Sequence, residues 1–157
     1  MYKRVLVPLD GSELGESIVP FILEIAGPLD MAVVLVRVVE PLPPVVADGI
    51  PVVVDDLETR RRDAEEYLAP IAIALRARGI ETTSGVRVGR PVEQILAAAR
   101  AAGADLVAMS THGRGGLGRL LFGSVAEQVL RHAEVPVFLM RQTQRQPATP
   151  RTTEAMR

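Results

Sequence analysis

Five short apolar runs recur along the chain, and segments with helical periodicity lie between them. The runs are Val5–Leu9, Ala32–Val39, Val86–Val88, Leu106–Met109 and Val135–Met140. Continuous apolar runs of this length, bounded by turn residues, are typical of parallel strands buried on both faces. Parallel strands need long crossover connections, usually helices, and these crossovers are right-handed. The pattern therefore predicts an α/β fold with a five-stranded, doubly wound parallel sheet and helices on both faces.

Four segments between the runs have apolar residues at helical spacing. Ser12 is placed to cap the first helix, Gly27-Pro28 and Gly79 to end the first and second, and Pro91 to begin the third. Prolines inside the first two helices, Pro20 and Pro70, each remove a backbone hydrogen bond at a cost of ~3 kcal/mol, so we expect kinks or interruptions there. The inward-facing residues are Ile18, Phe21, Ile22 and Ile25; Ala64, Leu68, Ile71 and Leu75; Val92, Ile95, Leu96 and Ala99; and Val125, Val129 and Leu130.

Length and composition predict one domain over residues 1–141. A chain of 157 residues can bury a full core, which must be aliphatic because aromatic residues make up only 3%. Residues 41–55 contain four prolines and read as a flexible, extended loop over the sheet rather than a regular element. Residues 142–157 lack apolar periodicity and are predicted to be a disordered tail.

Charge and residue usage argue against several classes of function. A formal net charge of −1 offers no basic field for nucleic acid, and the absence of cysteine excludes disulfides and thiolate chemistry. Two histidines in different elements give no metal-ligand spacing. The first apolar run is too short for a signal peptide and no run approaches the ~20 residues of a membrane span, so we expect a cytoplasmic protein without a membrane partner.

A glycine-rich segment at residues 109–124, MSTHGRGGLGRLLFGS, follows the fourth predicted strand. Its G-x-G-x-x-G pattern lies after the wrong strand for a dinucleotide fingerprint, and a Walker motif fails because Ser124 occupies the lysine position. A loop of little bulk that enters a helix N-terminus is still a suitable phosphate cradle. Ser124 and Glu127 also match a capping box, which is compatible with a phosphate contact.

This segment and its continuation to residue 141 resemble the signature end of the universal stress protein family. The opening VLVPLDGSELGE and the later GRPVEQIL are similar to the same family. The resemblance implies strand order 3-2-1-4-5, an adenine-nucleotide site and a dimer. Nucleotide-binding members carry G-x-x-G, nine residues and G-[ST]. Here Ser110 replaces the first glycine, while Gly113, Gly123 and Ser124 match.

The resemblance implies a role for each matching position. Asp10 would accept from ribose or adenine, Val38 would flank adenine, and Leu9 and Met109 would form apolar walls. Alone, Asp10 reads equally as an Asx-turn or helix cap, and Val38 and Met109 as core. Phosphate contacts fall to Gly113, Gly123, Ser124 and the Val125 and Ala126 amides, with Arg114 or Arg119 as charge partners. The full predicted nucleotide-binding set is Pro8, Leu9, Asp10, Val38, Met109, Ser110, His112, Gly113, Arg114, Gly123, Ser124, Val125 and Ala126.

The function predicted on this basis is an ATP-binding stress-response regulator whose output is binding. ATP would bring Mg²⁺ on its phosphates, and no residue is assigned a catalytic role because His112 has no evident partners. The alternative is an interaction module that does not use nucleotide, with Ser110 marking the loss. A third hypothesis, adenylyl or phosphoryl transfer, lacks a visible catalytic set. We also predict a homodimer through the last strand, Val135–Arg141, because an exposed apolar edge needs a partner and Pro136 suits an edge.

Overall fold

The computed structural model describes residues 1–43, 45–47, 50–52, 56–112 and 124–142. Seven strands and five helices lie in these residues. The strands are β1 (Arg4–Pro8), β2 (Ala32–Val39), β3 (Val45–Ala47), β4 (Ile50–Val52), β5 (Thr82–Val88), β6 (Leu106–His112) and β7 (Val137–Gln142). The helices are α1 (Glu13–Glu16), α2 (Ile18–Ala26), α3 (Leu57–Ala77), α4 (Pro91–Ala102) and α5 (Ser124–His132).

The main sheet has five parallel strands in the order β5-β2-β1-β6-β7. This is the predicted 3-2-1-4-5 order, so the predicted fold class is confirmed. The chain winds from β1 outward to β5 and then returns to the other side of β1 to form β6 and β7. The winding direction therefore reverses between β1 and β6, which is where open α/β sheets bind ligands, at the carboxyl ends of the strands.

Alternate residues of the strands form two apolar layers. On one face, Val5, Val7 and Leu35 pack against α2 and α3; on the other, Leu6 and Val107 pack against α4 and α5. Each of these five side chains is at most 1% exposed. The central strands are thus covered on both faces, as their unbroken apolar sequence predicts.

Pro20 and Pro70 have different effects on their helices. The first helical segment is interrupted at Ser17, between α1 and α2, because Pro20 cannot donate to the Glu16 carbonyl four residues earlier. Around Pro70 the helix α3 continues unbroken, so of the predicted kink or interruption the interruption is wrong there. Pro70 and Glu66 both lie on the exposed side of α3, where water can satisfy the carbonyl that loses its donor.

The prediction for residues 41–55 also needs correction. The expectation of an irregular loop is wrong for residues 45–47 and 50–52, which pair antiparallel as β3 and β4. Asp48-Gly49 between them is a strong hairpin signal, and the four prolines obscured it. Pro51 is compatible with this pairing because a two-stranded ribbon consists only of edge strands.

Two smaller predictions also need correction. Leu130 was predicted to face inward, but it is 43% exposed, and Ala126 is buried beside Val129 instead. The third strand of the main sheet begins at Thr82 rather than Val86. Its first residues, Thr-Thr-Ser-Gly, carry no apolar run because β5 is an edge strand and three of those four residues are exposed.

Candidate functional site

A cleft of about 290 Å³ opens at the carboxyl ends of β1, β2 and β6, at the point where the winding reverses. This volume is near the lower end of the range of small-molecule sites. The described residues that line it come from six elements and the loop after β1. They are Pro8, Leu9, Asp10, Leu14, Gly15, Val36, Val38, Pro91, Ile95, Met109, Ser110, Thr111, Ser124, Val125 and Ala126.

Nine of the thirteen predicted site residues lie in this lining. They come from distant parts of the sequence and are Pro8, Leu9, Asp10, Val38, Met109, Ser110, Ser124, Val125 and Ala126. Of the other four, Gly113, Arg114 and Gly123 lie outside the described residues, as does the alternative charge partner Arg119. His112 ends β6, and only its backbone is described.

Asp10 forms the turn that leads from β1 into α1. One carboxylate oxygen, Oδ1, accepts from the Ser12 amide at 2.9 Å and from the Ser12 hydroxyl at 2.6 Å. The Ser12 hydroxyl oxygen accepts in turn from the Gly15 amide at 3.0 Å, and so caps α1 as predicted. Within the described part of the chain the second oxygen of Asp10, Oδ2, makes no hydrogen bond. The turn role and a ligand role are therefore compatible, because they use different oxygens.

The charge state of Asp10 is set by its neighbours. Desolvation raises the pKa of Asp10, but the hydrogen bonds from Ser12 and the nearby Arg37 guanidinium outweigh it and hold the pKa below its ordinary value. Arg37 is itself held by Tyr67, with its guanidinium carbon 4.7 Å from the centre of the ring. Burial, and then the Glu16 carboxylate, raise the pKa of Tyr67 well above its ordinary value. Asp10 is thus an anion and a hydrogen-bond acceptor at neutral pH.

Gly15 closes the cleft beside Asp10. A Cβ at this position would lie 2.5 Å from Asp10 Oδ1, too close for any side chain. A side chain at position 15 would therefore displace the Asp10 carboxylate, which the hydrogen bonds from Ser12 hold in place. This requirement is steric, because Gly15 has ordinary helical backbone, and for that reason no turn motif in the sequence reveals it.

Ser110, the residue that replaces the family glycine, is bound through its side chain. Its hydroxyl oxygen lies 2.8 Å from that of Ser17, at the break between α1 and α2. Leu106 and Ala108 occupy the preceding alternate positions of β6 and pack on the α2 face of the sheet. Ser110 therefore sits at the rim of the cleft, tied to the α2 side.

Two other hydroxyls of the lining make no hydrogen bond within the described residues. Thr111 is 4% exposed, and its buried oxygen Oγ1 has no partner there. Ser124 is the first residue of α5, and its hydroxyl accepts no hydrogen bond from the Glu127 amide. The predicted capping box is therefore wrong: the Glu127 carboxylate instead accepts from Arg131, one turn later, at 2.7 Å. Of the two, only the Ser124 residue is exposed, whereas the Thr111 oxygen is buried.

Sequence reasoning missed six residues of the lining: Leu14, Gly15, Val36, Pro91, Ile95 and Thr111. Val36 and Ile95 are core residues of β2 and α4. Leu14 and Gly15 lie in the short helix α1 and Pro91 in the first turn of α4, so none of these five has a distinctive sequence signal. Thr111 is the exception, because a polar residue at the end of an apolar run often marks a strand's functional end. Arg37 gave a similar signal, as the single charge in the second apolar run.

No group of His, Asp and Glu side chains in the described ranges is arranged to hold a metal ion. In those same ranges, no helix has both the length and the apolar character needed to cross a membrane.

Comparison with known sequences identifies relatives over nearly the whole chain. The family model described as Universal stress protein family matches residues 1–141. A universal stress protein of Thermus aquaticus is 32% identical over 142 residues, which is 90% of this chain and 100% of the relative. One from Methanocaldococcus jannaschii is 28% identical over 148 residues, covering 93% of this chain and 86% of the relative.

Solved structures share the fold. A universal stress protein in complex with cAMP superposes with a TM-score of 0.66 at 22% identity, covering 89% of this chain and 97% of the other. The Archaeoglobus fulgidus universal stress protein in complex with dAMP superposes with a TM-score of 0.62 at 23% identity, covering 88% and 97%. At these identities the likeness establishes the architecture.

Proposed function

This chain belongs to the universal stress protein family, and from that premise we propose that it is a stress-response regulator that binds an adenine nucleotide, with ATP as the expected ligand. Its output is a change of binding partners or assembly rather than rapid chemistry. The observation that carries the proposal is the position of the cleft, at the reversal point between β1 and β6, with the free oxygen of Asp10 at its mouth.

The cleft offers suitable surroundings for a nucleoside. Apolar side chains of Val36, Val38, Ile95 and Met109 provide a wall of the kind on which a base packs. Asp10 Oδ2 is an anionic acceptor with its other oxygen already fixed by Ser12, so it is held ready for ribose hydroxyls or an exocyclic amine. Two family members of this fold were solved with cAMP and with dAMP, which supports an adenine nucleotide as the ligand class.

The phosphate end is assigned to the start of α5. The first amides of a helix lack intrahelical acceptors and carry the positive end of the helix dipole, so Val125 and Ala126 are suitable donors to phosphate oxygens. The Ser124 hydroxyl can add a donor. The proposal extends to Gly113, Gly123 and the charge of Arg114, with Mg²⁺ carried by the phosphates. We also propose a cytoplasmic location for the protein, because adenine nucleotides are abundant there.

Calorimetric titration of the nucleotide-stripped protein with ATP, AMP and adenosine tests this proposal. We expect micromolar binding of the wild-type protein to at least one of them. Asp10→Ala should weaken binding of all three about tenfold or more, since a hydrogen bond to a charged group contributes about 1.5–3 kcal/mol. Asp30→Ala is the control, because Asp30 is an exposed carboxylate that, among the described residues, pairs with Lys3 and not with the cleft. Equal affinities in the two variants would contradict the assigned ribose contact.

A second function, a nucleotide-independent interaction module, is favoured by two features. Ser110 replaces a glycine of the family pattern, and the apolar hairpin of β3 and β4 pairs with no strand of the main sheet. Thermal unfolding with Mg-ATP separates the two functions. A ligand that binds only the native state stabilises it by ~2.7 kcal/mol at a hundredfold excess over its dissociation constant. An unchanged unfolding temperature at millimolar Mg-ATP favours the interaction module.

We also propose a homodimer through the edge strand β7. Its Val-Phe-Leu-Met sequence is apolar, and Phe138 remains 37% exposed although it stacks on Phe21 at 4.6 Å. The opposite edge, β5, has exposed polar residues instead. Pairing two copies of β7 removes the apolar edge that invites aggregation.

A further inference from the structure

Ser17 and Ser110 lie 93 residues apart in sequence, and their hydroxyl oxygens are 2.8 Å apart. Ser17 stands at the break between α1 and α2, and Ser110 lies at the rim of the cleft. Both side chains are half-buried. The pair thus connects the helical break to the mouth of the candidate site.

The direction of this hydrogen bond follows from a count of protons. The Ser17 hydroxyl also lies 2.6 Å from the Leu14 carbonyl, which can only accept. A serine hydroxyl has one proton, and Ser17 uses it on Leu14. In the bond between the two serines, Ser110 must therefore donate and Ser17 must accept.

This direction determines what Ser110 can offer to a ligand. With its proton directed at Ser17, the Ser110 hydroxyl has only lone pairs left, and no other group in the described part of the chain uses them. A lone pair attracts a ligand group that carries a hydrogen, such as a ribose hydroxyl. It repels a phosphate oxygen, which also has only lone pairs to offer.

We propose that Ser17 is a positioning residue that holds Ser110 as an acceptor toward the cleft, and so biases the site toward nucleosides and against additional phosphate groups. This inference rests on the proposed nucleotide function and deepens it. The family's glycine at position 110 has no hydroxyl and creates no such bias. Ser110 would then adjust ligand preference rather than mark the loss of a site.

The test is the ratio of ATP affinity to adenosine affinity, measured by calorimetry for each variant. A ratio is informative because general loosening of the site weakens both ligands together. Ser17→Ala frees the Ser110 proton to donate to phosphate, and we expect the ratio to rise about tenfold, the value of one hydrogen bond to a charged group. Ser110→Gly and Ser110→Ala remove the lone pair, and both should also raise the ratio of ATP affinity to adenosine affinity.

Three further variants sharpen the result. Ser17→Thr keeps the accepting hydroxyl and should therefore have the same ratio of ATP affinity to adenosine affinity as the wild type. Ser84→Ala removes an exposed serine on β5, at the far edge of the sheet from β6, and should leave the ratio unchanged. Ser17→Ala combined with Ser110→Gly should show the same ratio as Ser110→Gly alone, because Ser17 acts only through Ser110.

The outcomes separate this inference from the proposed function. Binding of both ligands with a ratio unaffected by Ser17→Ala overturns the role of Ser17 and leaves nucleotide binding intact. If Ser17→Ala raises the ratio equally in the Ser110→Gly background, the role of Ser17 is also overturned, because the effect would not pass through Ser110. If neither ligand binds to the wild type or to Ser110→Gly, the proposed function has failed, and the inference fails with it. Ser110→Ala, which leaves the Ser17 bond to Leu14 in place, covers the case in which Ser17→Ala does not fold.

Discussion

At the scale of single residues, the candidate site contains side chains that use one polar group within the fold and leave another unbonded in the described residues. Asp10 uses one oxygen to turn the chain and leaves the other free, and Ser110 uses its proton on Ser17 and leaves its lone pairs. The sequence predicted Asp10 and Ser110 as site residues, and both line the cleft. It gave no sign of Ser17 or Gly15, because their roles depend on contacts that only the folded chain creates.

Gly15→Ala tests the close approach of α1 to Asp10. The new Cβ would lie 2.5 Å from Asp10 Oδ1, so the carboxylate must move and its bonds to Ser12 must weaken. We expect ligand affinity to fall about tenfold, comparable to the loss of a charged hydrogen bond. Gly27→Ala is the matched control, because Gly27 also has helical backbone and no atom within 4 Å of the added Cβ. Equal affinity of the two variants by calorimetry would contradict the steric role of Gly15.

Asp105 gives a pH-dependent prediction away from the cleft. Its two oxygens accept from the Lys3 and Arg4 amides at 2.8 and 3.0 Å and so join the starts of β1 and β6. Desolvation raises the pKa of Asp105, but these bonds outweigh it and hold the pKa below its ordinary value of 3.8. A lowered native pKa stabilises the fold above pH 3.8, and this stabilisation is lost as the pH falls through the native value.

Asp105→Asn should therefore reduce the free energy of unfolding by about 1 kcal/mol at pH 7. The difference between wild type and variant should shrink as the pH falls below 3.8, where the wild-type carboxylate also takes up a proton. Urea unfolding at pH 7, 5 and 3 measures this. If the difference in the free energy of unfolding stays constant over the three pH values, the charge of the Asp105 carboxylate contributes nothing to stability.

At the scale of elements, two exposed prolines inside predicted helices have different surroundings in the folded chain. Pro20 lies in the first turn of α2, just after the interruption at Ser17, whereas Pro70 lies inside the unbroken helix α3. The interruption near Pro20 also places Ser17 where it meets Ser110. The sequence predicted that both prolines lie in helices. It did not predict that an interruption occurs near Pro20 and not at Pro70.

Pro70→Ala should stabilise the protein. The new amide can donate to the Glu66 carbonyl, and the strain of proline in a helix interior, ~3 kcal/mol, is relieved in part. The more flexible unfolded chain offsets some of the gain, so we expect the free energy of unfolding to rise by about 1–2 kcal/mol. Ala69→Ser on the same exposed face should change little. A lower unfolding temperature for Pro70→Ala would show that Pro70 fits the backbone of α3 without strain.

At the scale of the whole molecule, the two edges of the sheet differ in character. Strand β5 presents polar and glycine residues, while β7 is apolar at an equally open position. Pro136, directly before β7, directs its carbonyl at the Val107 amide on β6. Because backbone groups alternate along a strand, the Leu139 amide, three residues later, points away from the sheet and is free to pair with a second copy.

Leu139→Pro tests the proposed dimer through this amide. Proline removes an outward donor without removing a bond inside the sheet, so it should give the mass of one chain by light scattering, where the wild type gives two. Leu139→Ala is the control, since it shortens the side chain but keeps the amide, and should remain a dimer. A monomeric wild type at tens of micromolar, or a dimeric Leu139→Pro, would contradict the proposed interface.

The residue pattern predicted parallel strands alternating with helices and the two-sided burial of the central strands, and the resemblance to the family implied the strand order and the segments that meet at the cleft. The alternation of strands and helices and the burial follow from local periodicity and turn residues, which act over short stretches of the chain. The packing of the folded chain, in contrast, leaves one oxygen of Asp10 free, brings Gly15 against the Asp10 carboxylate and joins Ser110 to Ser17. Such features depend on distances between residues far apart in sequence, and those distances exist only after the sheet and its helices have packed.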